Sequence, residues 1–197
     1  MALNTADVDI DFADRTQILD IINYVAAKGR HGTEHQVAKH NSGVYVTDIP
    51  YDPINECAAI DYKTAEERGY FKIDFLNVYV YSLIRDTEHY QWLLERPTPW
   101  EQLNNKEFVE QIIHIGNHYE SMQRIPGPID SIERMAMFLA IIRPGKRGLL
   151  GREWKTVAQA VWDPTDEGYT FKKSHAIAYA HLVSLHMKLI YFSNESN

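Results

Sequence analysis

A chain of 197 residues, 45% apolar and 24% charged, is long enough to bury a sizeable core and fits one compact unit or two small ones. Its formal charge of −7 argues against a protein that coats nucleic acid indiscriminately. One cysteine, Cys57, excludes an intramolecular disulfide and a cysteine-rich zinc site, and points to a reducing compartment. No apolar run is long enough to cross a bilayer, and no cleavable signal pattern opens the chain, so no membrane partner is expected.

The first element is the stretch Asp7-Val8-Asp9-Ile10-Asp11-Phe12. At a strand's period of two it sets three carboxylates on one face and three apolar side chains on the other. Burial explains the apolar set. Carboxylates about 6–7 Å apart repel, so a cation, most simply a divalent metal, is needed to offset them. Asp14 then predicts a helix cap, with a helix over 15–27 whose apolar face is Ile18, Ile21, Ile22 and Val25 and whose stop is Lys28-Gly29. Residues 30–43 read as a polar loop and 44–47 as a short strand. Pro50 and Pro53 break the chain before two further strands, 58–62 and 70–75. In the second, Phe71, Ile73 and Phe75 point inward, with Lys72 and Asp74 on the other side.

Helices follow: 76–96, interrupted near Asp86 and ended by Pro97 and Pro99; 106–115; an apolar helix capped by Asp130 or Ser131 and running to Ile142; 154–162; and 174–192. The fold class is α+β, a small sheet in the first 75 residues and helices after it. Residues 1–96 are expected to hold the sheet and the acidic site, and 97–197 the helical part. His31, His35 and His40, and likewise His114, His118 and Glu120, read as loop or helix-end polar residues rather than zinc clusters. Tyr79, Tyr81, Tyr90 and Trp92 read as core or interface before a base-stacking face. Met135, Met137 and Phe138 read as core. From Arg143 to Lys155 there are five basic residues (Arg143, Lys146, Arg147, Arg152, Lys155) and one acid, Glu153. That patch reads equally as a phosphate-attracting surface or as a solvated helix end and loop.

Five stretches in order resemble motifs of the bacterial C-family replicative DNA polymerases, the polymerase III alpha subunits. The acidic strand followed by Asp14-Arg15 resembles the family's opening palm motif. Ala38-Lys39-His40-Asn41-Ser42-Gly43-Val44 resembles Gly-Lys-His-Ala-(Ala/Gly)-Gly-Val, and Phe71-Lys72-Ile73-Asp74-Phe75-Leu76 resembles Val-Lys-Phe-Asp-Phe-Leu. Ser131-Ile132-Glu133 through Arg143-Pro144-Gly145 resembles the helix leading into its Arg-Pro-Gly segment. Tyr169-Thr170-Phe171-Lys172-Lys173-Ser174-His175-Ala176 opens a stretch that resembles Tyr-Gly-Phe-Asn-Lys-Ser-His-Ala, near the end of the fingers.

The resemblance implies a nucleotidyltransferase-type palm sheet followed by a fingers-like helical part. It makes Asp9, Asp11 and Asp74 the catalytic, metal-binding carboxylates for magnesium or manganese, and Asp7 structural or peripheral to the metals. It places Lys39 and Lys72 near primer or triphosphate oxygens, and Arg143, Lys146, Arg147, Lys172, Lys173, Ser174 and His175 near an incoming nucleotide. The implied partners are DNA, deoxynucleoside triphosphates and other replication proteins. The implied compartment is the cytoplasm, that of a bacterial host if a phage encodes the chain. The family's subunits are several times longer. Lys39 follows Asp11 by only 28 positions where the family inserts a thumb, and no Gly-Ser triphosphate grip precedes the acids. A split polymerase or a catalytically inactive module of the same fold is therefore also expected to fit.

Overall fold

A computed structural model describes residues 8–29, 38–166 and 168–193. Asp7, His31 and His35 lie outside the described residues. The fold is mixed α and β, with strands in the first part and helices dominating the rest. The chain divides into two compact units, Met1–Ser82 and Leu83–Asn197.

In the first unit a four-stranded mixed sheet is built from β1 (Val8–Phe12), β2 (Val25–Lys28), β3 (Lys39–Tyr45) and β6 (Ile73–Asn77), in the order β1-β6-β3-β2. β1 and β6 run parallel; β3 is antiparallel to both β6 and β2. A two-stranded ribbon, β4 (Tyr51–Asp52) and β5 (Cys57–Ala58), lies between β3 and the helix α2 (Tyr62–Glu67) along the chain. The small core of this unit gathers Ala27, Tyr45, Ile49, Ala58 and Ala65, with Val25, Ile60 and Tyr70 packed against it. On one side of β1 and β6, Phe12 meets Phe75 edge to face at 5.3 Å, the arrangement aromatic quadrupoles favour.

Several expected elements are revised here. The helix expected over 15–27 is a single turn, α1 (Thr16–Leu19), and Val25 belongs to β2. Asp14 accepts from the Thr16 N–H at 2.9 Å, but Arg15 holds the cap position and makes no side-chain capping bond; the four residues bury nothing, and isolated turns are not self-sustaining. Val25 and Ala26 instead complete the sheet opposite Tyr45 and Val44. β3 starts at Lys39, inside the expected loop. The strand expected over 58–62 is cut short because Asp61 accepts from the Lys63 and Thr64 N–H groups and starts α2. β6 extends to Asn77, so residues expected to begin a helix at 76 are strand.

The second unit is helical. α3 (Thr87–Glu95), capped by Asp86, is followed by the short helices α4 (Lys106–Val109) and α5 (Tyr119–Met122). α6 (Ile132–Ile141), α7 (Trp154–Ala160) and α8 (Lys173–Tyr191) complete it. Ser131 caps α6 by accepting from the Arg134 N–H. All seven residues from Met135 to Ile141 are buried, against α8 and α7. A helix apolar all round must be enclosed on every side. Among the described residues no helix is long and apolar enough to cross a membrane.

Candidate functional site: a carboxylate face on the mixed sheet

The register of the two parallel strands decides where the acids go. Asp9 pairs with Asp74 and Asp11 with Leu76. Side chains alternate along a strand, and cross-strand partners share a face. Asp9, Asp11 and Asp74 therefore belong to one face of the sheet, with Asp9 and Asp74 as direct neighbours about 4.8 Å apart at the backbone. Lys72, two positions before Asp74, shares that face.

The side chains on this face are already engaged. Lys72 Nζ forms an ion pair with Asp74 Oδ2, each side chain only 15% exposed. The Ser42 hydroxyl donates to Asp74 Oδ1 at 2.8 Å. Asp11 accepts from the Tyr81 hydroxyl at 3.4 Å. Burial raises the Asp11 pKa above the usual carboxylate range; the Tyr81 hydrogen bond opposes this and the neighbouring Asp9 charge adds to it. Among the described residues, no three His, Cys, Asp or Glu side chains converge closely enough to hold a metal ion. The three predicted carboxylates thus share a face without meeting at a point. The donor set is nevertheless of the right chemistry for magnesium, hard anionic oxygens with no soft ligand among them. Bringing Asp74 onto a metal requires Lys72 to leave it.

The neighbouring strand explains how Asp74 is held. Between the pairs Ala26↔Val44 and Lys28↔Lys39, two steps along β2 face five along β3. The surplus residues fold into a bulge around His40, whose Nδ1 accepts from the Gly43 N–H at 2.9 Å and the Ser42 N–H at 3.3 Å. An accepting Nδ1 carries no proton, so the ring is the neutral Nε2–H tautomer. Burial, aided by the Lys72 charge and opposed by Asp74, lowers the His40 pKa in agreement with that. Its 3.5 Å approach to Asp74 Oδ1 is therefore not an ion pair. Gly43 pairs with Asp74 across the sheet. A methyl at Gly43 would come within 2.7 Å of Lys72 Cδ, 2.9 Å of His40 Nδ1 and 3.1 Å of Ala27 Cβ. The missing side chain is what lets Lys72 lie across the sheet to its partner.

Arg15 fastens the same end. Its backbone N–H donates to Asn77 Oδ1 at 2.7 Å, and its guanidinium donates to the carbonyls of Phe75, at 3.1 Å, and Asn41. It ties the exit of β1 to β6 and β3. A cleft of about 630 Å³ opens here, lined in part by Arg15, Tyr24, Lys39, His40 and Ser42. Lys39 itself is a surface residue, 3.5 Å from Glu56.

The remaining predicted contacts lie in the second unit. Arg143 is half-buried with its guanidinium 4.0 Å above the Phe171 ring, and burial lowers its pKa. Lys146 is a correction. It is buried, and its ammonium donates to the Ala160 carbonyl at 2.8 Å, capping the end of α7, so it is not part of a phosphate-attracting surface. Arg147, Arg152 and Lys155 are exposed. Lys172, Lys173 and Ser174 are exposed at the start of α8. His175 is half-buried, its ring 6.5 Å from Tyr179. Tyr179 also packs on Phe171 and on His114. The His114 Nε2 is buried with no hydrogen-bond partner among the described residues, and burial with the nearby Arg143 charge pushes its pKa down to about 4.

Sequence reasoning assigned no role to Ser42, Gly43 or Arg15 and read Tyr81 only as core or interface, yet all four position the acids. The first two stood next to Lys39 within a quoted motif, and Arg15 directly after the acidic strand. Tyr81 carried no local signal. Neither a known family, nor a curated protein, nor a solved structure matches this chain.

Proposed function

We propose that this chain is a reduced palm-and-fingers relative of the C-family DNA polymerases, with a carboxylate site of the two-metal nucleotidyl-transfer type. The observation that carries the reading is the in-register pair Asp9↔Asp74 with Asp11 on the same sheet face. Two acids on one strand and a third on its parallel neighbour form the layout that such chemistry needs. Magnesium or manganese, when bound, supplies Lewis-acid stabilisation of the charge that develops on the transferred phosphoryl group.

The chain's own residues do the rest. Asp9 and Asp74 supply adjacent oxygens and Asp11 a third, half-buried one. Lys72, freed from Asp74, and Lys39 provide cations near a primer or triphosphate. In the second unit, Arg143, Arg147, Lys172, Lys173, Ser174 and His175 are the groups for the nucleotide and DNA. The reaction would join a deoxynucleotide to a primer 3′ hydroxyl, in DNA replication, with other chains of a split polymerase supplying further positioning.

Calorimetric titration with Mn²⁺ tests the metal platform: saturable binding in the wild type that disappears in Asp9→Ala/Asp11→Ala is expected. Template-dependent primer extension then tests the activity. A second reading is favoured by the Lys72–Asp74 ion pair and the Ser42 hydrogen bond: a catalytically inactive module of the same fold that binds DNA, a nucleotide or a replication protein. That reading predicts DNA or nucleotide binding with no extension at any protein concentration.

A further inference from the structure

We infer that the cleft beside Arg15 is a nucleotide site separate from the carboxylates, taking a flat base together with its phosphate. None of the three acids lines it, so the inference goes beyond the two-metal reading and does not depend on it. Its volume of about 630 Å³ falls within the roughly 300–1,000 Å³ of small-molecule sites. Two cations, Arg15 and Lys39, and one acid, Glu56, line it, a locally positive opening in a chain of net charge −7.

Arg15 supplies the anion-binding half. Its Nη1 is taken up by the Asn41 and Phe75 carbonyls, and those bonds fix the plane of the guanidinium. Its Nε and Nη2 donate to nothing among the described residues, and no acid pairs with it there. A guanidinium held in one plane with its fork unused matches a phosphate, which it meets through two parallel hydrogen bonds. Lys39 adds a second cation. Its partner Glu56 is 3.5 Å away and well exposed, and so solvated a pair is weak enough to be exchanged for a phosphate oxygen.

Tyr24 and Tyr51 supply the other half. They line the cleft while 42% and 52% exposed, and neither has a ring contact or a side-chain hydrogen bond among the described residues. Exposed rings beside a cationic groove stack bases with little regard to sequence. A bare anion would leave the rings unused, and an uncharged ring would leave the fork unused; a nucleotide uses both. The same unit can arrive free or within a single strand.

Calorimetry in EDTA tests this with dAMP and a short deoxyadenylate strand, and with adenosine and inorganic phosphate as half-ligands. Saturable binding of dAMP or of the strand, at least ten-fold tighter than of either half-ligand, is expected. Binding of dAMP identifies a free nucleotide as the occupant, and binding of the strand alone identifies a nucleotide within a chain. Tyr24→Leu/Tyr51→Leu should weaken that binding roughly ten-fold, and Lys39→Gln should weaken it severalfold and flatten its salt dependence. The wild type gives a second readout that needs no variant to fold. Nitration of Tyr24 and Tyr51 by tetranitromethane, mapped by peptide mass spectrometry, should fall severalfold at saturating ligand, while Tyr191, 43% exposed at the end of α8, is nitrated as before. Absence of saturable binding to dAMP and strand alike would overturn the inference, as would binding that leaves Tyr24 and Tyr51 open to nitration or that both variants retain in full. Neither result bears on the Mn²⁺ titration of the carboxylates, which stands or falls separately.

Discussion

Acid should destabilise the helical unit, and a single histidine should account for much of the loss. His114 sits at a left-handed backbone position, φ 66°, with its ring 4.4 Å from Tyr179. Its pKa falls from an ordinary 6.5 to about 4, through burial first and the Arg143 charge second. The sign follows from proton uptake. Between those two values the unfolded chain protonates this ring and the folded chain does not, so stability is complete above pH 6.5 and drains away as pH falls towards 4. A gap of about 2.5 pH units at about 1.4 kcal/mol each gives an upper limit of about 3 kcal/mol, of which about 2 kcal/mol is lost by pH 5. All four tryptophans, Trp92, Trp100, Trp154 and Trp162, lie in the second unit, so urea denaturation followed by tryptophan fluorescence reports on that unit. His114→Asn keeps a residue that tolerates positive φ and removes the titration. The variant should lose about 2 kcal/mol less than wild type between pH 7.5 and pH 5. His118 and His186, both also held below the ordinary histidine range by burial, supply the remaining slope in both proteins. Parallel pH profiles for wild type and variant would refute the assignment of the loss to His114.

On the sheet, Asp11→Asn should raise stability in a chelating buffer, because burial and the Asp9 charge both oppose ionised Asp11; urea midpoints check this, and a destabilised variant would mean that the Tyr81 hydrogen bond outweighs them. Lys146→Met should lower stability by about 1–2 kcal/mol by removing the donor to the Ala160 carbonyl. It should leave DNA affinity and its salt dependence where they were, whereas Arg147→Ala/Arg152→Ala should flatten that dependence if the exposed basic residues meet phosphates.

The parts of the fold that sequence reading reached are those where one period dominates a long window. α6 and α8 were legible because apolar residues recur through 132–141 and 173–191, with Ser131 as a cap for the first. The acidic strand was legible because its residues alternate apolar and acidic, but burial does not follow that alternation: Ile10 is exposed and Asp11 half-buried. The turn at 16–19 and the strand at 25–28 were misread as one helix because Ile18, Ile21, Ile22 and Val25 match helical spacing. The pairing of Val25 with Tyr45 is a long-range contact that no local window contains. Lys146 was misread for a related reason. In a run of basic residues the sequence gives no sign of which ammonium faces a helix end; its burial is decided by where α7 stops.

The face shared by Asp9, Asp11 and Asp74 depends on two separable facts, and only one was local. Alternation within each strand follows from residue order. That Asp74 stands beside Asp9 rather than one position along follows from the register, and a single-residue slip would send Asp74 to the opposite face. The edge-to-face contact of Phe12 with Phe75 and the Arg15 donors on the Phe75 carbonyl and Asn77 side chain oppose that slip, since each would have to be broken or remade in another register. Residues that never touch Asp74 therefore decide whether it joins the other two acids. Gly43 then decides, by having no side chain, that the cation beside Asp74 is Lys72. Any account of this face that names only its carboxylates leaves out the two features, register and cradle, that set its charge.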